Sequence, residues 1–151
     1  MAVSQFAEFL KKENINDIEI LESENASTHT AQEAADVHGV PVGNIVKSLL
    51  TCIDVEGIEK FILVLVPGDK RLDLDYWQQK LGVTKIRMAN AQEVKQVTGY
   101  SIGGVPPFGH ISKIPTYLAD GFSADSPLVA AAGSQNAVFK VSKSRLEELV
   151  K

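Results

Sequence analysis

Two long apolar runs, "NIVKSLLTCID" (44–54) and "EKFILVLVP" (59–67), joined through "VEG", limit more than anything else how this chain can fold. Both are rich in β-branched residues and leucine and read as strands, and so short a connection returns the second strand antiparallel beside the first. Such a hairpin belongs at the centre of a sheet. Every other element has to be arranged around it.

The flanking pattern supplies helices and shorter strands. "SQFAEFLKKEN" carries apolar residues at helical spacing, Phe6, Phe9 and Leu10, with Ser4 as a candidate N-cap. "DIEILE" alternates Ile18 and Ile20 with acids, as a half-buried strand does. A capping-box spacing, Thr30 to Glu33, opens a short helix that closes at Gly39 and Pro41. After the hairpin come a helix with Leu74, Trp77 and Leu81 on one face, a brief strand "KIRMA", and a second capping box at Asn90 and Glu93 in a helix ending at Gly99. "IPTYLAD", "PLVAAAG" and "NAVFKVS" read as three further strands, and "KSRLEELVK" as a last helix. Strands and helices do not alternate with the regular rhythm of a doubly wound fold. The expected class is α+β: a mixed, mostly antiparallel curved sheet, a partial barrel, with helices around it.

At 151 residues the chain fits one domain, 1–151, able to hold a core without staples. The single cysteine, Cys52, excludes an internal disulfide framework and suits a reducing compartment, so the cytosol is expected. No apolar run approaches the roughly 20 residues that span a bilayer, and no membrane role is expected. The net charge of −4 excludes broad electrostatic binding to nucleic acid but leaves room for a focused basic patch, for which Lys70, Arg71, Lys80, Lys85 and Arg87 are the candidates.

Lys47 is the first position with chemical potential. In a strand it shares one side with Ile45, Leu49 and Thr51, an apolar setting for an ammonium. Either its stem runs along the surface to water, or it stands at the mouth of a pocket and meets a phosphate or a developing negative charge. The second is "TGYSIGGVPPFGH" (98–110), with four glycines and two prolines in thirteen residues. Such a stretch can be a stiffened turn, or it can hold open amides, at Gly103 and Gly104, toward a carbonyl oxygen. His110, at its end, is a candidate acid or base, or a brace for the loop. The small-residue run "VAAAGSQNA", around Gly133 and Ser134, is a hairpin turn or the wall of a pocket for a small group. No "GxSxG" elbow and no zinc-ligand spacing occurs, so covalent serine chemistry, metal and cofactor are not expected. Cys52 reads as a small buried hydrophobe.

In order and spacing, "VKSLL", "KIRMANAQEVKQVTGYSIGGVPPFGH" and "VAAAGSQNAVFKVS" resemble the YbaK family and the related editing insertion of prolyl-tRNA synthetases. The resemblance implies a partial barrel and hydrolysis of the ester that joins a wrong, small amino acid of the cysteine or alanine class to transfer RNA, foremost the proline tRNA. It implies Lys47 as the essential lysine, Gly103 of "GGVPP" as the amide donor to the carbonyl and Pro107 as the residue fixing the loop. Thr28 matches a pocket threonine and Gly133 the glycine of the late strand–turn motif. Two positions depart from several relatives: Ala131 replaces a serine and His110 a glutamine. Aminoacyl-tRNA is the implied partner, with a prolyl-tRNA synthetase as a possible source of it. The rival readings are a non-catalytic aminoacyl or nucleotide-binding module and a hydrolase of another small ester.

Overall fold

The computed structural model describes residues 2–23 and 30–151. In chain order it contains α1 (Ala2–Lys12), β1 (Leu21–Glu22), α2 (Ala31–His38), a 3-10 turn (Val42–Asn44), β2 (Ile45–Val55), β3 (Ile58–Pro67) and α3 (Leu74–Leu81). There follow β4 (Lys85–Met88), α4 (Ala91–Thr98), β5 (Thr116–Leu118), β6 (Leu128–Ser134), β7 (Ala137–Val141) and α5 (Lys143–Leu149).

β2 and β3 pair along their whole length, Val46 opposite Pro67 through Val55 opposite Ile58. Glu56 (φ 53°) and Gly57 (φ 84°) make the two-residue turn, with the left-handed conformations that match the twist of a hairpin. The strand order is β1-β7-β6-β2-β3-β5, and β4 also pairs with β2. Four of the six pairings are antiparallel; β2 with β6 and β3 with β5 are parallel, so the sheet is mixed as expected.

Because β3 fills one edge of β2 completely, β6 and β4 must share the other. β6 takes Ile45 and Val46, β4 takes Thr51 to Asp54, the Leu50 carbonyl accepts the Ala89 amide just after β4, and Lys47 to Leu49 have no ladder partner on that edge among the described residues. The sheet is split there.

Both faces of the hairpin are covered. Val46, Leu50, Leu63 and Leu65 join the main core with Phe6 and Leu10 of α1, Val94 of α4 and Leu146 of α5. On the opposite face, Ile45 packs with Ala34 and Ala35 of α2, while Ile53, Ile62, Val64 and Val66 pack with Trp77 of α3. Along β2, Lys47 falls between Ile45 of the first of these smaller clusters and Leu49 and Ile53 of the second.

The helix punctuation follows the sequence closely. Thr30, Asp73, Asn90 and Ser142 cap their helices, the Asn90–Glu93 box is reciprocal, and α2, α3 and α4 end on left-handed Gly39, Gly82 and Gly99. Two expectations need correction. Ser4 lies inside α1 rather than capping it. The strand expected over "DIEILE" shrinks to Leu21–Glu22, paired with β7. Arg145 of α5 holds Asp17 by two hydrogen bonds of 2.8 and 3.1 Å, and Ile18 and Ile20 turn into the main core, so this stretch reaches the sheet only at its end. Among the described residues no helix is long and apolar enough to cross a membrane.

Candidate active site

The gap in the sheet opens into a cavity of about 270 Å³. Lys47, Ser48 and Leu49 all line it, three consecutive residues, because the unpaired edge of β2 rather than one of its faces forms this wall. α2 contributes Ala31 and Ala34, with Thr30 before it; the glycine-rich loop contributes Ile102, Gly103 and Val105; β6, β7 and their turn contribute Ala130, Ala131, Ser134, Gln135 and Val138. Small apolar side chains dominate the wall and a few polar groups converge on it, as in most small-molecule sites.

Lys47 brings the charge. Its Nζ donates a hydrogen bond to the carbonyl of Lys70, which fixes the side chain at the cavity. Burial holds its pKa below the ordinary lysine value; Asp69 opposes that shift and Arg71 adds to it. The candidate basic stretch divides here. Arg87 is bound by Glu93 (2.8 and 2.9 Å) and lies 3.6 Å from Glu59, so its charge is already matched.

The glycine-rich loop is anchored from inside. Ile111 N–H donates to the Thr98 carbonyl (3.1 Å), the fully buried Tyr100 donates its hydroxyl to the Gly109 carbonyl (3.2 Å), and Phe108 packs among Phe6, Phe9 and Phe139. Its tip is hydrogen-bonded to β6 through backbone atoms. The Gly104 amide bonds the Ser101 carbonyl and the Gly104 carbonyl accepts the Gly133 amide, both at 3.0 Å. A Cβ on Gly104 would stand 2.8 Å from Ser134 Cα, so only glycine permits this approach. Gly133, at φ 110°, sits in the irregular pairing between Ala131 and Ser134 that turns β6 toward the loop. Gly103 takes φ 89°, and a Cβ there would come 2.7 Å from Nε2 of Gln135. With Gly104's amide committed to Ser101, Gly103 is the glycine of this pair whose backbone lines the cavity.

The expected site residues therefore separate into groups. Lys47, Gly103 and Ser134 meet on one cavity. Gly104 and Gly133 form the clasp that holds the cavity wall. Pro107 is buried beneath the loop and does not line the cavity. Thr28 lies outside the described residues, as does His29. His110 is not a lining residue either: its Nε2 is 2.7 Å from the Pro106 carbonyl, which can only accept, so Nε2 carries the hydrogen. Burial lowers the pKa of this imidazole, and the bond to Pro106 partly offsets the effect. Cys52 is buried, and burial pushes its thiol pKa up.

Ser48 and Gln135 were not singled out by the sequence. Strand alternation puts Ser48 on the side away from Lys47, and only the missing ladder partner reveals that both border the cavity. Ser48 Oγ is buried without a hydrogen-bond partner among the described residues.

Residues 25–149 match the aminoacyl-tRNA editing domain family. EbsC of Enterococcus faecalis, provisionally named a Cys-tRNA(Pro)/Cys-tRNA(Cys) deacylase, is 30% identical over 106 residues, 70% of this chain and 63% of that protein. The multifunctional Ser/Thr-tRNA deacylase ProXp-y of Escherichia coli K12 is 26% identical over 91 residues, 58% of this chain and 54% of its own length. The matched stretches thus span less than two thirds of either relative. A crystal structure described as that of a candidate trans-editing enzyme for prolyl tRNA synthetase superposes with a TM-score of 0.88 at 34% identity, covering 99% of this chain and 91% of that one.

Proposed function

Because the chain belongs to the aminoacyl-tRNA editing domain family, we propose that residues 1–151 act as one trans-editing deacylase, which hydrolyses the ester of a small, wrongly attached amino acid on tRNA, foremost the proline tRNA. The observation that carries this reading is the meeting, at a gap in the sheet, of the Lys47 ammonium and the Gly103 backbone in a cavity walled by alanines and valines. At about 270 Å³ the space suits an aminoacyl group, and its small-residue walls set the size test. The relatives named for Cys-tRNA and Ser/Thr-tRNA deacylation support small substrates as the class.

The ester is activated already, and the enzyme's task is to place the attacker and lower the charge cost at the carbonyl. In this reading the Gly103 amide donates to the carbonyl oxygen as negative charge develops there. Lys47 holds the sugar-phosphate end of the terminal adenosine and adds positive charge nearby. Water attacks the carbonyl carbon, or the substrate's own thiol does so when the residue is cysteine; the ribose oxygen leaves and takes up a proton. His110 serves as a brace: through Pro106 it keeps the loop in shape, and it moves no proton. A side chain that the charging enzyme distinguishes poorly, by about 1–3 kcal/mol per methylene, meets a second size test here.

The test is a deacylation assay on tRNAs charged with alanine, serine, cysteine and proline, run beside Lys47→Ala. Accelerated hydrolysis of one or more small esters, lost in Lys47→Ala, is the expected result. Unchanged ester half-lives with saturable binding would replace this reading with a non-catalytic binding module. Full activity in Lys47→Ala would remove the lysine from the site.

A further inference from the structure

A second cavity, of about 170 Å³, lies beside the first. Lys70, Arg71 and Lys80 line it, with Tyr76 and Trp77 of α3 and Asp120 among its other walls. One hydrogen bond joins the two cavities, since Lys47, which lines the first, donates its ammonium to the carbonyl of Lys70, which lines the second.

Three features of the second cavity bear on what it could hold. None of its three cations forms a carboxylate ion pair among the described residues, although Arg87 and Arg145 elsewhere both do. Two carboxylates, Asp73 and Asp120, stand against these three positive charges, and Asp73 also caps α3, its Oδ1 accepting the Tyr76 amide at 3.1 Å. Lys80 is held over aromatic surface, its Nζ 5.5 Å from the Tyr76 ring centre, 5.3 Å from that of Trp77 and 3.3 Å from the Tyr76 hydroxyl. Trp77 is buried as the floor, while Tyr76 is 46% exposed at the rim.

Unpaired cations beside an exposed aromatic face match a single nucleic-acid strand, whose phosphates need charge and whose bases need a flat surface. On a chain of net charge −4, such a patch concentrates attraction at one place. We propose that this cavity is a second subsite for the tRNA, holding the unpaired strand immediately before the aminoacylated nucleotide: Lys70, Arg71 and Lys80 bind its phosphates and Tyr76 stacks on one base. The proposal rests on the deacylase reading for the identity of the polynucleotide. It extends that reading from the ester to the strand that presents it, and makes the backbone of Lys70 the joint between the two subsites.

The experiment compares the parent with Arg71→Ala/Lys80→Ala and with Tyr76→Ala by two readouts. The first is the ratio of kcat/KM for aminoacyl-tRNA to kcat/KM for the same amino acid esterified to adenosine alone. The second, independent of turnover, is the binding of a short single-stranded RNA with the tRNA 3′ sequence, followed by anisotropy against salt. Loss of two phosphate contacts is expected to lower both the ratio and the RNA affinity about tenfold. The salt slope should fall by about one unit per cation removed. Tyr76→Ala should weaken RNA binding and leave the slope unchanged. Equal loss on both esters would indicate a structural effect and overturn the proposal, as would RNA binding and salt slope matching the parent. If the parent hydrolyses neither ester, the deacylase reading fails, while the RNA-binding arm still decides whether the subsite exists.

Discussion

Lys47 and Ser48 show how adjacent residues with opposite strand parity come to serve one cavity. The sequence identified the lysine because an ammonium among isoleucine and leucine needs an explanation. It was silent on the serine because a hydroxyl on an apolar strand is unremarkable, and because the lack of a ladder partner beside residues 47–49 among the described residues is a tertiary fact. A buried hydroxyl with no partner costs stability, so Ser48→Ala is expected to raise unfolding free energy by about 1 kcal/mol in urea titration while lowering kcat/KM for the esters that place a polar atom near Oγ. A loss of stability instead would show that Oγ is satisfied within the folded protein. Gln135 was equally hidden from the sequence. Its nearness to Gly103 arises from the meeting of a loop and a hairpin turn more than thirty positions apart.

Among the elements, the hairpin, the helix caps and the late strands were legible because each is decided by local pattern: apolar runs, capping spacings and glycines just past helix ends. In "DIEILE" alternation reports which side chains are buried and not a ladder: Ile18 and Ile20 are partly buried without belonging to one. The glycine-rich loop was legible as a special backbone but not as two functional halves. Its base is ordinary core, built on Tyr100 and Phe108, and its tip is the part that borders the cavity. The two tip glycines should respond differently to alanine. At Gly104 the added carbon meets backbone atoms of Gly133 and Ser134 within 2.9 Å, so the loop must lift from β6, at a cost of about 1–3 kcal/mol and with loss of deacylation. At Gly103 the nearest atoms belong to the movable Gln135 side chain, and the left-handed φ of 89° sets a stability cost of roughly 1–2 kcal/mol. Denaturant titration and ester turnover on the two variants check this order; a Gly104→Ala protein as stable as the parent would remove the clasp.

For the whole molecule, acid should be the weak side. Burial lowers the folded-state pKa of His110 below 6.5, so as pH falls through that value the unfolded chain takes up a proton that the native protein refuses, and stability declines. Burial and Lys140 depress His38 in the same direction. Arg87 and the Asn90 backbone hold the Glu93 carboxyl at about 2 against an ordinary 4.5, so its contribution is present above 4.5 and disappears toward pH 2. His110→Gln keeps a donor for the Pro106 carbonyl without a titrating group, and its stability is expected to vary less with pH than the parent's between pH 7 and 5, measured by thermal melts across that range. An unchanged pH dependence would mean that His110 is exposed to protonation in the native state. One earlier detail reaches furthest at this scale. The loop is fastened to the sheet by the carbonyl of Gly104 and the amide of Gly133, atoms that nearly every residue possesses, whereas Ala131, Ser134 and Val138 line the cavity. On the deacylase reading, grip and taste thus fall to different positions, and a lineage could exchange one rejected amino acid for another by changing those three while the scaffold that aligns the scissile bond stays as it is.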